Sequence, residues 1–343
     1  MRAYTDALLR EMEAHADAAK DTAFDTVFFG GGTPSLLPID CADAILKRAR
    51  ALFCITSDVE ITMEANPATA DEEKLSRLFA LGVNRLSVGV QSLDDKELTA
   101  LGRLHSGEEA LSFLSSARNA GFENINVDLM YGIPYQTEES ALKTLKGVLA
   151  LAPTHISAYS LMLEEGTPLY QQRKSLPIPN EEEEEALDLC VKEVLASHGY
   201  RHYEISNYAK EGYASRHNMH YWHSDPYLGF GVAAYSYFDG VRYGNHSDLA
   251  AYIADPQGAR ASEECINESA LAYEWLMLRL RLSEGVSVSE YRARFGVDLT
   301  VVHEALLKRL CAGGLMENDG ARIRLTERGF RVSNSILLEF MPD

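Results

Sequence analysis

Three polar side chains stand at the ends of three apolar segments, where they could share one small polar ligand. Glu64 ends VEITMEANP, Gln91 ends RLSVGVQS, and Asp128 lies in NINVDLMYGIP. A carboxylate in such a place is costly to bury unless an amine or a pair of hydroxyls compensates for it. For Glu64 the alternative is a salt bridge within the protein. Standing at matching heights, the three side chains predict a small-molecule site.

A glycine-rich turn and an arginine extend this candidate site. Gly30–Pro34 reads GGGTP, and glycines there let a ligand approach the backbone closely. No Gly-Lys-Ser/Thr follows, so the turn is not a phosphate-binding P-loop, and a plain tight turn is the alternative. Arg103, in LGRLH, could reach a ligand carboxylate, with an ordinary surface arginine as the alternative.

The segments that carry these residues alternate with amphipathic helices. The helices repeat apolar residues every three or four positions, as in Leu75, Leu78 and Phe79. Strands alternating with helices imply a parallel sheet, and the run of such units favours a βα barrel or part-barrel. In such barrels the active site lies at the carboxyl ends of the strands. The predicted strands are 26–32, 59–67, 85–92, 124–134 and 155–163.

The strand and helix rhythm changes after Pro168. A helix is predicted at 181–198 and a loop at 216–222, followed by the strand-like YLGFGVAAYSYF and VRYGNH. From Ser269 the chain reads as helices with a final small strand pair, similar to a winged helix. We therefore predict an α/β protein with three domains, at 1–165, 166–268 and 269–343.

Composition excludes several kinds of partner and site. The net charge of -19 repels phosphate backbones, so nucleic acid is not expected as a partner. No apolar run is long enough to cross a bilayer, and Met1 begins a polar stretch unlike a signal peptide, so a cytoplasmic protein is expected. The Glu181–Glu185 run is typical of a solvated helix start. The five cysteines are scattered without a CxxC or CxxxCxxC motif and predict no metal site.

Several motifs, in this order, resemble one known family. GGGTPS, MEANP, GVQSLDDKELTALGRLHS and NVDLMYGIPYQT are similar to the radical S-adenosylmethionine (SAM) barrel of the anaerobic coproporphyrinogen III oxidase family. The resemblance covers nearly the whole chain. Within that family, RHNMHYW at 216–222 is similar to the HNxxYW segment of the HemW-type haem chaperone branch, as are the flanking ISNYA and LGFGVAAYS. The resemblance therefore favours the chaperone branch.

The resemblance implies a SAM site on the residues already singled out. Two further residues, on the adenine side, come from the resemblance alone. The implied SAM contacts are Gly31, Gly32 and Thr33 at the methionyl amine and carboxylate, Glu64 at the polar groups of the ligand, Gln91, Arg103 and Asp128 at the ribose and the methionine moiety, and Met162 and Tyr235 at the adenine.

The resemblance also implies a haem site. His217 is the candidate haem ligand and His220 the second candidate, because a neutral imidazole binds haem iron well. An ordinary structural histidine is the alternative for each, and the nearby Tyr221 and Trp222 favour the ligand role. The implied partners are haem, an acceptor protein, and membrane haem proteins in transient contact.

The chain departs from the family at its start. The family's CxxxCxxC motif, which holds a 4Fe–4S cluster, lies on the first barrel strand shortly before GGGTP, and this chain begins after it. We therefore expect a partial (β/α)6 barrel without its first strand, no cluster ligands, and no reductive cleavage of SAM. Either the start codon has been placed too far downstream, which the intact SAM residues favour, or the protein lacks the motif.

Three functions remain as hypotheses. The first is a HemW-type haem chaperone that binds haem and SAM and transfers haem to an acceptor protein. The second is an oxygen-independent coproporphyrinogen III oxidase that decarboxylates its substrate by SAM-radical chemistry. The third is a cluster-free remnant that serves only as a binding module. Oxidoreductase activity is not expected of these 343 residues, because the cluster ligands are absent from them.

Overall fold

The computed structural model describes residues 1–342, which form two compact units. The barrel unit comprises residues 1–2, 16–202 and 206–214. The C-terminal unit comprises residues 3–15, 203–205 and those from Ser215 onward. The division into three domains stays a prediction.

Across residues 1–342, no helix combines the length and the apolar character needed to cross a membrane.

The secondary structure follows the alternation seen in the sequence. The strands are β1 (Ala23–Phe29), β2 (Cys54–Ala65), β3 (Arg85–Gln91), β4 (Asn124–Tyr131), β5 (His155–Ser160), β6 (Arg201–Glu204), β7 (Asn207–Ala209), β8 (Tyr235–Phe238), β9 (Val241–Asn245), β10 (Arg260–Cys265), β11 (Val286–Ser287), β12 (Met316–Asn318) and β13 (Arg322–Leu325). The helices are α1 (Arg2–His15), α2 (Ile39–Leu52), α3 (Glu72–Ala80), α4 (Asp95–Ala100), α5 (Gly107–Asn119), α6 (Glu138–Leu149), α7 (Pro168–Gln172), α8 (Glu181–Ser197), α9 (Arg216–His223), α10 (Leu249–Ala254), α11 (Glu268–Arg279), α12 (Val288–Phe295), α13 (Leu299–Val302), α14 (Glu304–Ala312), α15 (Glu327–Arg331) and α16 (Ser333–Leu338), with a 3₁₀ helix at Pro34–Leu36.

A curled half-barrel sheet forms the centre of the barrel unit. Strands β1 to β5 are parallel and lie side by side in chain order. Strand β7 runs antiparallel to β5 and is followed by β6 at the end of the sheet. Glu64 on β2 pairs with Ser87 on β3, and Gly89 on β3 pairs with Asp128 on β4. The carboxyl ends of these strands therefore lie at one edge, which confirms the predicted α/β barrel architecture.

The alternation of residues along the strands gives the sheet an apolar and a polar face. On β2, Ile61 and Met63 are fully buried in the core beneath the helices. Glu60 and Thr62 point the other way and are also buried. Arg85 on β3 is likewise buried, 2% exposed. Polar groups in such a place require hydrogen-bond partners from one another, because water does not reach them.

Side-chain caps fix the ends of several barrel-unit helices. The Asp71 side chain accepts a hydrogen bond from a backbone N–H at the start of α3, and Gly82, with φ of +99°, follows its end. Ser106, Thr137 and Asn180 begin α5, α6 and α8 with reciprocal capping boxes. Local sequence signals therefore determine where these helices begin.

Two small sheets and a helical core form the C-terminal unit. Antiparallel strands β8, β9 and β10 make one sheet, with β9 in the centre, and β11, β13 and β12 make the other. Trp275 of α11 is fully buried in a core that includes Tyr291, Leu307 and Ile323. This combination of helices and a small sheet matches the predicted winged-helix-like C-terminal region.

Helix α1 belongs to the C-terminal unit through a buried carboxylate. Glu11 is 1% exposed. Its Oε2 accepts hydrogen bonds from the Gly231 N–H at 2.8 Å and the Tyr252 hydroxyl at 2.5 Å. Its Oε1 accepts one from Asn245 Nδ2 at 2.6 Å. These bonds connect α1 to chain segments more than 200 residues away.

The loop predicted at 216–222 is wrong, because residues Arg216–His223 form α9. Ser215 is buried and its hydroxyl accepts a hydrogen bond from the Asn218 N–H, which starts the helix. None of the residues of α9 is buried, so the helix has no apolar stripe to reveal it. Strand β10 also escaped prediction, since all its residues are exposed.

Replacing the buried carboxylate tests how α1 is held. Glu11→Ala is expected to lower the free energy of unfolding by about 2 to 4 kcal/mol, because three buried donors lose their acceptor. Urea unfolding followed by tryptophan fluorescence reports on the C-terminal unit, which contains α1, since both tryptophans, Trp222 and Trp275, lie in that unit. Asp6→Ala, at an exposed position of the same helix, is expected to cost less than about 1 kcal/mol. Equal effects of the two changes would contradict this account of α1.

Candidate functional site

The first part of the candidate site joins the glycine turn to the end of β2. The Gly31 N–H donates to Glu64 Oε2 at 3.0 Å. Gly31 and Gly32 have φ of +78° and +61°, a backbone conformation that would be strained for any residue with a side chain. Asn66 Nδ2 donates to Thr33 Oγ1 at 3.3 Å and fixes the far end of the turn. Glu64 and Asn66 therefore fix the two ends of the turn, and the Glu64 carboxylate already accepts one hydrogen bond.

The protonation of Glu64 responds to its surroundings. Partial burial raises the pKa of this carboxyl, the Gly31 hydrogen bond opposes the rise, and the charge of Asp128 adds to it. The two carboxyls therefore lie close enough for the charge of Asp128 to influence the protonation of Glu64. A bound amine or other hydrogen-bond donor would favour the ionised form of Glu64.

The second part of the site is the end of β3, where the backbone bends sharply. Gln91 is buried and has φ of +67°, and the N–H of Ser92 turns back to the carbonyl of Val90 at 2.9 Å. Such a conformation is strained for a residue other than glycine and persists only where its neighbours enforce it. A Cβ on Gly89 would lie 2.8 Å from Asn66 Oδ1 and 3.0 Å from Gln91 Nε2. The two side-chain amides therefore meet over Gly89.

A buried carboxylate that the sequence did not single out holds this bend. Glu97 is 1% exposed and accepts hydrogen bonds from Ser92 Oγ at 2.6 Å and Ser140 Oγ at 2.5 Å. Burial raises the pKa of Glu97, and the two serine hydrogen bonds oppose the rise. Glu97 thereby joins the loop after β3 to the start of α6.

The third part of the site is Asp128, which is half-buried on β4. Asn126 Nδ2 donates to its Oδ1 at 2.7 Å, and Ser87 Oγ lies 3.4 Å from its Oδ2. Burial lowers the pKa of Arg103, and the charge of Asp128 opposes that effect, so the guanidinium lies within electrostatic range of the carboxylate. The structure thus brings Gly31–Thr33, Glu64, Gln91, Arg103 and Asp128 to one end of the barrel unit.

The two residues expected at the adenine lie in different units. Met162 follows β5 in the barrel unit and is 78% exposed, while Tyr235 lies on β8 of the C-terminal unit and is 59% exposed. Their assignment, like that of each ligand contact, stays a prediction. Asn66, Glu97 and Asn126 were missed by the sequence analysis, although Asn126 shares a strand face with Asp128 and could have been found from alternation alone.

The candidate haem histidines lie on α9 of the C-terminal unit. His220 Nδ1 is 2.8 Å from Asp225 Oδ2, an arrangement that orients metal-ligating histidines in many proteins. His217 Nε2 is 3.0 Å from the Tyr221 hydroxyl, and the rings of Tyr221 and Tyr227 meet edge to face. Neighbouring protein atoms withdraw the Tyr221 hydroxyl from water although its ring is partly exposed, which, with a smaller effect of Tyr227, raises the pKa of Tyr221 to about 12.

The cysteines of this chain do not fit an iron–sulfur cluster. They occupy separate elements, with Cys41 buried on α2, Cys54 at the start of β2 and Cys190 on α8, while Cys265 and Cys311 belong to the C-terminal unit. Within residues 1–342 no group of three or more His, Cys, Asp or Glu side chains is placed to hold a metal ion.

Comparison with known proteins assigns both ends of the chain to families. Residues 2–148 match the radical SAM superfamily and residues 266–332 match the HemN C-terminal domain. The haem chaperone HemW of Lactococcus lactis is 32% identical, over 99% of this chain and 90% of the relative. HemW of Bacillus subtilis is 34% identical, over 99% of this chain and 91% of the relative.

A solved structure shares the fold. Coproporphyrinogen III oxidase (HemN) from Escherichia coli, a radical SAM enzyme, superposes with a TM-score of 0.85. The match covers 98% of this chain and 82% of that chain, at 24% sequence identity. At this identity the likeness supports the fold alone.

Crowding the floor of the site tests its geometry. Gly89→Ala is expected to weaken SAM binding at least about tenfold, because the new methyl group displaces the Asn66 and Gln91 amides. The stability cost should stay below about 2 kcal/mol, since both amides can turn aside. Isothermal titration calorimetry with SAM and thermal unfolding measure the two effects. Gly212→Ala, with φ of +82° and open space around it, strains the backbone of the same unit without crowding any side chain and should leave affinity unchanged. Equal affinities of the two variants would contradict the site.

Proposed function

Because the chain belongs to the HemW-type family of radical SAM proteins, we propose that it is a haem chaperone, which binds haem and SAM and passes haem to an acceptor protein. The observation that carries this proposal is its end-to-end similarity to proteins named as haem chaperones, which span 99% of this chain at 32% and 34% identity. The oxidase alternative has in its favour the match of residues 266–332 to the HemN C-terminal domain and a fold likeness at 24% identity. The acceptor protein and any contact with membrane haem proteins remain expectations.

The chemistry of α9 suits haem as the cargo. Imidazole nitrogens bind haem iron, and the rings of Tyr221 and Trp222 stand beside the two histidines on the same short helix. Asp225 accepts a hydrogen bond from His220 at Nδ1, which directs the basic Nε2 outward from that pair. Tyr221 contacts His217 at Nε2, so this hydroxyl has to turn away before His217 can bind iron. His217 and His220 are therefore both proposed as haem-binding residues.

The barrel-unit site suits the polar parts of SAM. The Gly31–Thr33 turn and Glu64 offer backbone and carboxylate groups to the amino acid end of the ligand. Asp128 is a suitable acceptor for the ribose hydroxyls, and Arg103 and Gln91 complete the set. SAM bound to a reduced cluster supplies a radical, but the residues of this chain do not fit a cluster. Their proposed role is to bind and orient SAM.

Haem titration tests the proposed function. The wild-type protein is expected to shift the Soret band of added haem. His217→Ala and His220→Ala are each expected to weaken binding about tenfold or more, since each removes an imidazole. His246→Ala is the matched control, because this histidine is exposed in the same unit and outside α9.

The outcomes separate the two parts of the assignment. No Soret shift with the wild-type protein would overturn the chaperone proposal. Wild-type binding that neither α9 variant alters would overturn the assignment of the haem site to this helix. Weaker binding by only one variant would identify that histidine as the ligand and remove the other.

A further inference from the structure

Asn126 makes hydrogen bonds with every polar atom of its side chain. Its Nδ2 donates to Ser87 Oγ at 2.7 Å and to Asp128 Oδ1 at 2.7 Å. Its Oδ1 lies 2.6 Å from His155 Nδ1 and accepts from Ser157 Oγ at 3.1 Å. Both hydrogens and both lone pairs of the amide are therefore engaged.

Chemistry fixes the orientation of this amide. Turning it over would place its oxygen against the Asp128 carboxylate, where two acceptors repel each other. Because Asn126 Oδ1 only accepts, the proton of the His155 ring must lie on Nδ1. Asn126, His155 and Ser157 are all buried, at 2%, 0% and 3% exposure, so water cannot replace these bonds.

Asp128 stands on this buried layer and is itself only half-buried. Its Oδ1 is held from within the sheet by Asn126, the shortest hydrogen bond that the structure gives to this carboxylate. Residues 126 and 128 share one face of β4, so the amide lies one step deeper than the carboxylate. A ligand at the strand ends therefore meets a carboxylate whose orientation is already set.

We propose that Asn126 is a positioning residue for SAM: by donating to Oδ1 it holds the Asp128 carboxylate in the orientation that accepts the ribose hydroxyls. This inference rests on the proposed SAM site. It adds a residue that does not itself touch the ligand. The amide acts by its N–H group, so an isosteric acceptor in its place should fail.

Charged and titratable groups surround Asp128 from each neighbouring element. These are Glu64 on β2, Arg85 on β3, Arg103 after β3 and His155 on β5. Burial raises the pKa of Asp128, and the Asn126 hydrogen bond, with Ser157, Arg85 and Ser87, opposes the rise. Burial and Arg85 hold the pKa of His155 well below its ordinary value, so this ring stays neutral.

The sign of the pH effect follows from which form of Asp128 binds. If the ionised carboxylate accepts the ribose hydroxyls, SAM affinity falls as the pH drops through the pKa of Asp128. Asn126→Asp replaces a donor by a second carboxylate of the same shape, which raises that pKa further. The acidic limb of the affinity profile should then move to higher pH by about one unit or more.

The experiment is calorimetric titration of the full chain with SAM between about pH 5 and pH 9. Asn126→Asp is expected to lose affinity about tenfold at neutral pH and to recover part of it in the alkaline range. Asn124→Asp adds the same charge on the same strand, about 13 Å from Asp128 along the backbone, and should leave the profile unchanged. Ser157→Ala removes a weaker partner of the same network and should shift the profile in the same direction by less.

Each outcome supports or overturns one part of the inference. A wild-type protein that binds no SAM overturns the proposed SAM site, while haem titration still tests the chaperone function separately. Wild-type binding with an unshifted Asn126→Asp profile overturns the positioning role. Equal shifts from Asn124→Asp and Asn126→Asp overturn it as well, because a general charge effect would then suffice. If Asn126→Asp fails to fold by thermal unfolding, an unshifted profile of Ser157→Ala overturns the role.

Discussion

The candidate site depends on the hydrogen bonds that Asn126 makes with the polar side chains buried around it on the inner face of the sheet. Asn126 and His155 have almost no exposure to solvent, and the Asn126 amide bonds to His155, Ser157, Ser87 and Asp128. Such a face is costly to build and leaves few alternative arrangements, because a half-satisfied polar network is worse than an apolar one. The fixed arrangement holds the Asp128 carboxylate in place at the end of its strand. The buried Asn126 amide and the Asp128 carboxylate at the strand end therefore depend on each other.

The sequence predicted the sheet well because its signals are local. Strand alternation and the three- to four-residue apolar spacing of the helices are each read within a few positions, and the structure has elements where they predict them. The site residues at the strand ends follow from the same logic, since parallel strands end at one edge.

The features that could not be predicted from the sequence depend on contacts between residues distant along the chain. Glu97 appears as one acidic residue in a charged helix, and only the fold reveals that it is buried beneath Ser92 and Ser140. Helix α9 escaped because its stability comes from a buried cap and from contacts outside its own sequence, with no apolar stripe. The place of α1 was equally hidden, because the partners of Glu11 lie more than 200 residues further on.

That separation has a consequence for how the protein is made. A ribosome adds roughly 5 to 20 residues per second, so the 241 residues between Glu11 and Tyr252 take on the order of 10 to 50 seconds to synthesise. The parallel strands β1 to β5, which pair with their neighbours in sequence, can assemble during that interval. Helix α1 must wait meanwhile with Ala7, Leu8 and Met12 uncovered, and an exposed apolar face of this kind is what chaperones of nascent chains recognise. A protein proposed to deliver cargo to others therefore passes, during its own synthesis, through a state that itself needs protection.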